Sequence, residues 1–140
     1  MRSVIPIKVD FSGILEGEIK YSEIPVDVYA YIGDAVMNLI ARMYAVGDGR
    51  IRVMNAQRKA AIFESAVGQA KLLDTIWDLL KGEEKAIASR GMNSKGARRR
   101  GNSPVYRKST GLEALMGYLF LKGESERINE LFHHMSRILE

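Results

Sequence analysis

The stretch from Pro25 to Val46 constrains the fold of this chain more than any other. Proline opens it at a position where the first turn of a helix has no use for an N–H, and Gly47 follows where helices commonly stop. Between them Val28, Tyr31, Ile32, Ala35, Val36, Leu39, Ile40 and Met43 recur at helical intervals and cover more than one stripe. A helix apolar on most sides belongs at the centre of a bundle or is shared with a partner chain. Asp34 stands in the middle of it, where an ionised carboxylate must be paired, hydrogen-bonded or bound to a metal.

Helical spacing continues from Asn55 to Phe63 and from Ser65 to Leu80, with Ser65 placed to cap the second piece. Glu83 to Arg90 predicts a short helix stopped by Gly91. Gly91 to Lys108 holds Gly96, Gly101 and Pro104 and predicts a long loop, a feature that is usually functional inside a compact domain. Helix returns from Ser109 to Lys122, stops at Gly123 and resumes from Ser125 to Leu139. Weak alternation of Ile5, Ile7, Val9 and Phe11 predicts an extended strap or short hairpin over residues 1–22, ahead of one domain spanning 23–140. A chain of 140 residues can bury one core, and the expected class is all-α.

The net charge of +4 is unevenly spread. Lys85, Arg90, Lys95, Arg98, Arg99, Arg100, Arg107 and Lys108 fall between Lys85 and Leu112 with no acid among them, so the remainder of the chain is net acidic. Such a distribution fits either a polyanionic partner meeting one face or a solvated basic loop. The absence of cysteine excludes disulfides, thiolate metal sites and a cysteine nucleophile. Arg42 and Asp48 interrupt the longest apolar run, so no membrane span is expected. Met1-Arg2-Ser3-Val4-Ile5-Pro6 lacks the apolar core of a signal peptide, and a cytoplasmic protein is expected.

Glu113, in Thr110-Gly111-Leu112-Glu113-Ala114-Leu115-Met116-Gly117, is flanked by apolar residues as Asp34 is. Two arrangements satisfy such a pair. Each acid can meet an arginine, Arg42 or Arg107, or both can converge on a divalent cation. Carboxylate oxygens suit Mg²⁺, which keeps several waters and completes its shell with substrate phosphate. Asp27 lies two turns before Asp34 on the same face.

Tyr31-Ile32-Gly33-Asp34-Ala35-Val36 resembles the signature helix of ribonuclease III, and Leu112-Glu113-Ala114-Leu115-Met116-Gly117-Tyr118-Leu119 resembles the second element of that family. The similarity runs from about Ile24 to Met135. It is closest to the reduced subfamily, Mini-ribonuclease III, which lacks a separate double-stranded-RNA-binding domain. Gln69-Ala70-Lys71, Arg90-Gly91-Met92-Asn93-Ser94-Lys95 and Tyr106-Arg107-Lys108-Ser109-Thr110 look like further pieces of the subfamily. The resemblance implies a homodimeric helical bundle and a Mg²⁺-dependent endoribonuclease (Mn²⁺ substituting). Such an enzyme cuts double-stranded RNA to 5′-phosphate and 3′-hydroxyl ends, with ribosomal RNA precursor as the expected substrate. It makes Asp34 and Glu113 the catalytic metal ligands. Larger members carry two further carboxylates where this chain has Ala30 and Thr110. Asp27 and the Thr110 hydroxyl then stand as residues behind the ligands, the latter placed to orient a water. Gly33 and Gly117 are expected to let the two helices approach closely enough for both acids to share an ion.

Duplex RNA is recognised through phosphates, 2′-hydroxyls and groove shape. Lys95, Arg98, Arg99, Arg100 and Arg107 are the expected phosphate contacts, and Asn93 and Ser94 the expected 2′-hydroxyl contacts. Tyr106 is the only aromatic in the basic segment, too few for single-strand stacking. The alternative is a catalytically silent double-stranded-RNA-binding protein on the same fold, which would have no need to keep both Asp34 and Glu113. Trp77 reads as core, and His133 and His134 as surface residues near a helix end. The apolar excess of the Pro25–Val46 helix puts a two-fold interface there, with Met37 or Tyr44 as candidate contacts.

Overall fold

The computed structural model describes residue 7 and residues 9–18, 20–99 and 101–139. Seven α-helices follow one another among these residues: α1 Val26–Val46, α2 Val53–Glu64, α3 Ala66–Ile76, α4 Gly82–Met92, α5 Lys95–Arg99, α6 Pro104–Leu121 and α7 Ser125–Ser136. No strand occurs among the described residues, and the class is all-α. Several residues of the expected strap, among them Ile5, lie outside the described ones. The described part has exposed Ile7, Val9 and Phe11 and a 3₁₀ turn at Ser12–Ile14.

The central helix is α6, not α1. Every residue of α6 from Ser109 to Leu119 is buried, with α1, α3 and α4 packed around it. Its polar members conceal this role in the sequence, but inside the bundle Ser109 and Thr110 find hydrogen-bond partners. Ser109 Oγ donates to Gln69 Oε1 at 2.6 Å, and Gln69 Nε2 donates to the carbonyl of Phe63 at 2.9 Å. The Gln69-Ala70-Lys71 segment therefore pins α3 to α6. Helix α1 buries Tyr29, Met37, Ala41 and Ala45 on one side and leaves Val28, Tyr31, Leu39, Met43 and Val46 exposed on the other.

Close approach between α1 and α6 needs glycine on both. A Cβ at Gly33 would fall 1.6 Å from the carbonyl oxygen of Glu113, and one at Gly117 would fall 1.9 Å from that of Tyr29. No side chain fits between these backbones.

The expected loop from Gly91 to Lys108 is largely helical. Gly91 does not stop α4: it lies inside that helix, and a Cβ there would fall 2.8 Å from Cβ of Ala114. Glycine is used here for packing, a role that local sequence cannot separate from helix termination. Ser94 then starts α5 by accepting from the amide of Ala97 at 3.1 Å. Ser103 caps α6 by accepting from the amide of Tyr106 at 3.3 Å, and Pro104 takes the first turn. Ser65 caps α3 as expected, accepting from Gly68 N at 3.0 Å.

Candidate active site

Helices α1, α5 and α6 enclose an open cleft of about 540 Å³. From α1 come Asp27, Ala30, Tyr31 and Asp34, from α6 Thr110 and Glu113, and from α5 Lys95, Gly96 and Arg99. Residues at spacings of three and four put Asp27, Ala30, Tyr31 and Asp34 on one face of α1, and Thr110 lies one turn before Glu113. The Gly33–Glu113 backbone contact is what brings the two acids to a common wall.

The acids differ in environment. Glu113 is 6% exposed, whereas Asp34 lies on the exposed side of α1. The cost of burying a carboxylate, expected at Asp34 from its apolar neighbours, therefore falls on Glu113 instead. The two arginines considered as partners bond elsewhere. Arg42 Nε lies 3.6 Å from Glu64, and Arg107 Nε donates to the carbonyl of Met92 at 2.9 Å while its Nη2 donates to Asn93 Oδ1. The Thr110 hydroxyl donates to the carbonyl of Tyr106 at 3.0 Å, which leaves its oxygen as an acceptor on the cleft wall.

Among the described residues no three His, Cys, Asp or Glu side chains form a complete metal cluster. Two hard carboxylate donors lining one open cleft are nevertheless a donor set that fits Mg²⁺, commonly held by one or two carboxylates plus water and phosphate. Asp27 lies farther along: seven residues of helix rise correspond to roughly 10 Å from Asp34. Its Oδ1 is near α5, where a Cβ at Gly96 would be 3.4 Å away.

The basic residues divide in two. Lys95 and Arg99 line the cleft beside the acids, and Arg98 is exposed outside it. Arg100 lies outside the described residues. Lys108 bridges to Asp74 at 2.9 Å, and Lys85 lies over the half-buried Trp77. Ser94 is buried and its hydroxyl caps α5, so it does not present a free hydroxyl to a ligand. Asn93 and Arg107 bind each other. The sequence reading missed Tyr31, which is 80% exposed at the cleft. Its place one turn before Asp34 was the available signal.

The ribonuclease III domain model matches residues 27–124, which include both acids and all of α5. The chain belongs to the ribonuclease III family. A Mini-ribonuclease 3 of Kosmotoga olearia is 38% identical over 122 residues, covering 87% of this chain and 84% of the relative. One from Symbiobacterium thermophilum is 34% identical over 113 residues, covering 79% and 87%. A crystal structure of a Fusobacterium nucleatum protein matches with TM-score 0.74 at 23% identity, over 85% of this chain and 94% of that one, and shares the fold. The resemblance read from the sequence is thus borne out at the level of family and fold. No helix among its described residues is long and apolar enough to cross a membrane.

Proposed function

We propose that the protein is a divalent-metal-dependent endoribonuclease that cuts double-stranded RNA, with Asp34 and Glu113 as the metal-binding catalytic pair. The observation that carries this reading is the shared cleft: two acids from separate helices line the same open space as Lys95 and Arg99. Membership of the ribonuclease III family supports an endoribonuclease acting on RNA. A divalent cation, when bound, supplies a water of lowered pKa and neutralises charge on the phosphate. In this reading Asp34 and Glu113 hold the cation, and the buried Glu113 offers a carboxylate with little freedom to move. Lys95 and Arg99 grip phosphates flanking the reacting one, and the Thr110 oxygen accepts from an adjacent water.

Cutting both strands calls for two sites related by a dyad. The exposed stripe of Val28, Tyr31, Leu39, Met43 and Val46 on α1 supports a homodimer, because it borders the cleft through Tyr31. Of the two contacts expected from the sequence, neither lies on this exposed stripe. Met37 is fully buried, and Tyr44 packs edge-on against Phe63 and Phe132. Ribosomal RNA precursor is the proposed natural duplex and the cytoplasm the proposed location, both by analogy.

The test is a generic RNA duplex incubated with and without Mg²⁺. Asp34→Asn and Glu113→Gln are expected to retain metal-free binding and to lose cleavage. Replacing Arg98, Arg99 and Arg100 by alanine should weaken binding and flatten its salt dependence, since fewer counterions are released. Cleavage by Asp34→Asn at the wild-type rate would overturn the assignment. Duplex binding without cleavage by the wild type would favour the silent alternative.

A further inference from the structure

Helix α5, Lys95–Arg99, has one turn and a little more, far below the length at which a helix is stable alone. It nonetheless carries Lys95 and Arg99, the cations that line the cleft among the described residues, so something outside the helix must determine where they stand. Three anchors are visible. Ala97 is fully buried, Ser94 caps the first turn, and Arg107 reaches across from α6. Arg107 is half-buried, and its guanidinium is engaged within the chain. Its Nε donates to the carbonyl of Met92, the last residue of α4, and its Nη2 to the side chain of Asn93 in the connection to α5. A planar fork making two bonds at once sets direction as well as distance.

We infer that Arg107 is a positioning residue: it locks the α4–α5 corner and thereby sets where Lys95 and Arg99 meet substrate phosphates opposite Asp34 and Glu113. The sequence placed Arg107 in the RNA footprint by its charge and Asn93 as a 2′-hydroxyl contact, and the bond between them gives both a different task. A phosphate contact needs donors turned outward, and these are turned toward a backbone carbonyl and a neighbouring amide oxygen. Lysine cannot replace the fork, because a single ammonium does not reproduce two coplanar donors. The inference rests on the duplex-RNA reading for its functional half and on geometry alone for the latch itself.

Two measurements test it. Hydrogen exchange of the α5 amides, which needs no RNA, should quicken at least about tenfold in Arg107→Lys while the α1 and α6 core amides keep their protection. Unchanged α5 exchange would overturn the latch. Metal-free duplex binding should weaken roughly tenfold in both Arg107→Ala and Arg107→Lys, a coupling of ordinary size for residues in one network. In a Lys95→Ala/Arg99→Ala background, Arg107→Ala should cost less than about twofold, since its effect is exerted through those two side chains. An equal loss in both backgrounds, or wild-type affinity in Arg107→Lys, would make Arg107 a direct phosphate contact and overturn the inference. A wild-type protein with no affinity for duplex overturns the double-stranded-RNA reading together with the functional half, while the exchange result still judges the latch.

Discussion

Replacing Gly33 by alanine strikes the contact that brings the two acids together. The added Cβ would lie 1.6 Å from the carbonyl oxygen of Glu113 and 2.9 Å from the amide nitrogen of Gly117. Ordinary carbon–oxygen contact begins near 3.4 Å, so α1 and α6 must part by roughly 2 Å at this point. Both obstacles are backbone, so no side chain can rotate away. Overpacking of this kind costs about 1–3 kcal/mol, near the upper end where nothing can yield. Alanine returns roughly 1 kcal/mol in helix propensity. The net loss of about 2 kcal/mol corresponds to a fall in Tm of roughly 5–10 °C for a domain of this size. Activity should fall further than stability does, because a 1 Å misplacement of reacting groups already costs on the order of a hundredfold. Circular-dichroism melts without metal, together with duplex cleavage measured well below Tm, separate the two effects. Gly82→Ala is the control, since nothing lies within 4 Å of a Cβ there. A Gly33→Ala protein that melts within about 2 °C of wild type would refute the packing argument.

Arg127 donates to both carboxylate oxygens of Glu84 (2.9 and 2.7 Å) and to the carbonyl of Leu79, so Arg127→Ala should cost about 3–5 kcal/mol in urea unfolding at pH 7. Burial pushes the Glu84 carboxyl up, but Arg127 and the Lys81 amide outweigh it and hold it below the usual carboxylate range. The stabilisation is therefore present above the unfolded pKa of about 4.3 and should be lost as pH falls through the folded value. A wild-type stability unchanged between pH 5 and pH 2 would contradict this. Leu39→Glu, on the exposed stripe of α1, should turn a dimer into monomers in sedimentation and reduce cleavage with it; a fully active monomeric wild type would remove the proposed interface. Thr110→Asp adds a carboxylate one turn before Glu113 and should tighten Mg²⁺ binding in calorimetry without RNA. Tight, stoichiometric binding by the wild type would show that its two acids need no further charge.

Helix periodicity and its punctuation were legible locally. Ser65, placed before an apolar run, does cap α3, and the all-α class followed from three- and four-residue spacing with no β alternation after residue 22. Asp34 and Glu113 could be singled out because carboxylates among apolar neighbours are costly, and their motifs resembled one family. The basic segment was legible as charge but not as structure. Glycine is ambiguous between breaker and close-packing residue, and only the opposing helix decides which. Gly91 therefore read as a stop and proved to be part of α4, packed on Ala114 of α6.

Tertiary structure alone decided three matters. It made α6 the central helix, because whether Ser109, Thr110 and Glu113 can be buried depends on partners from other elements. It turned α1 so that Asp34 faces solvent and Met37 faces the core, a rotation that a helix apolar on most sides leaves undetermined. It also divided the cations, giving Lys95 and Arg99 to the cleft and Arg107 to the Met92 carbonyl and Asn93. Sequence determines which groups a chain owns and their local spacing. The facing of each group is set by the residues packed against it, which for these side chains come from helices distant in sequence.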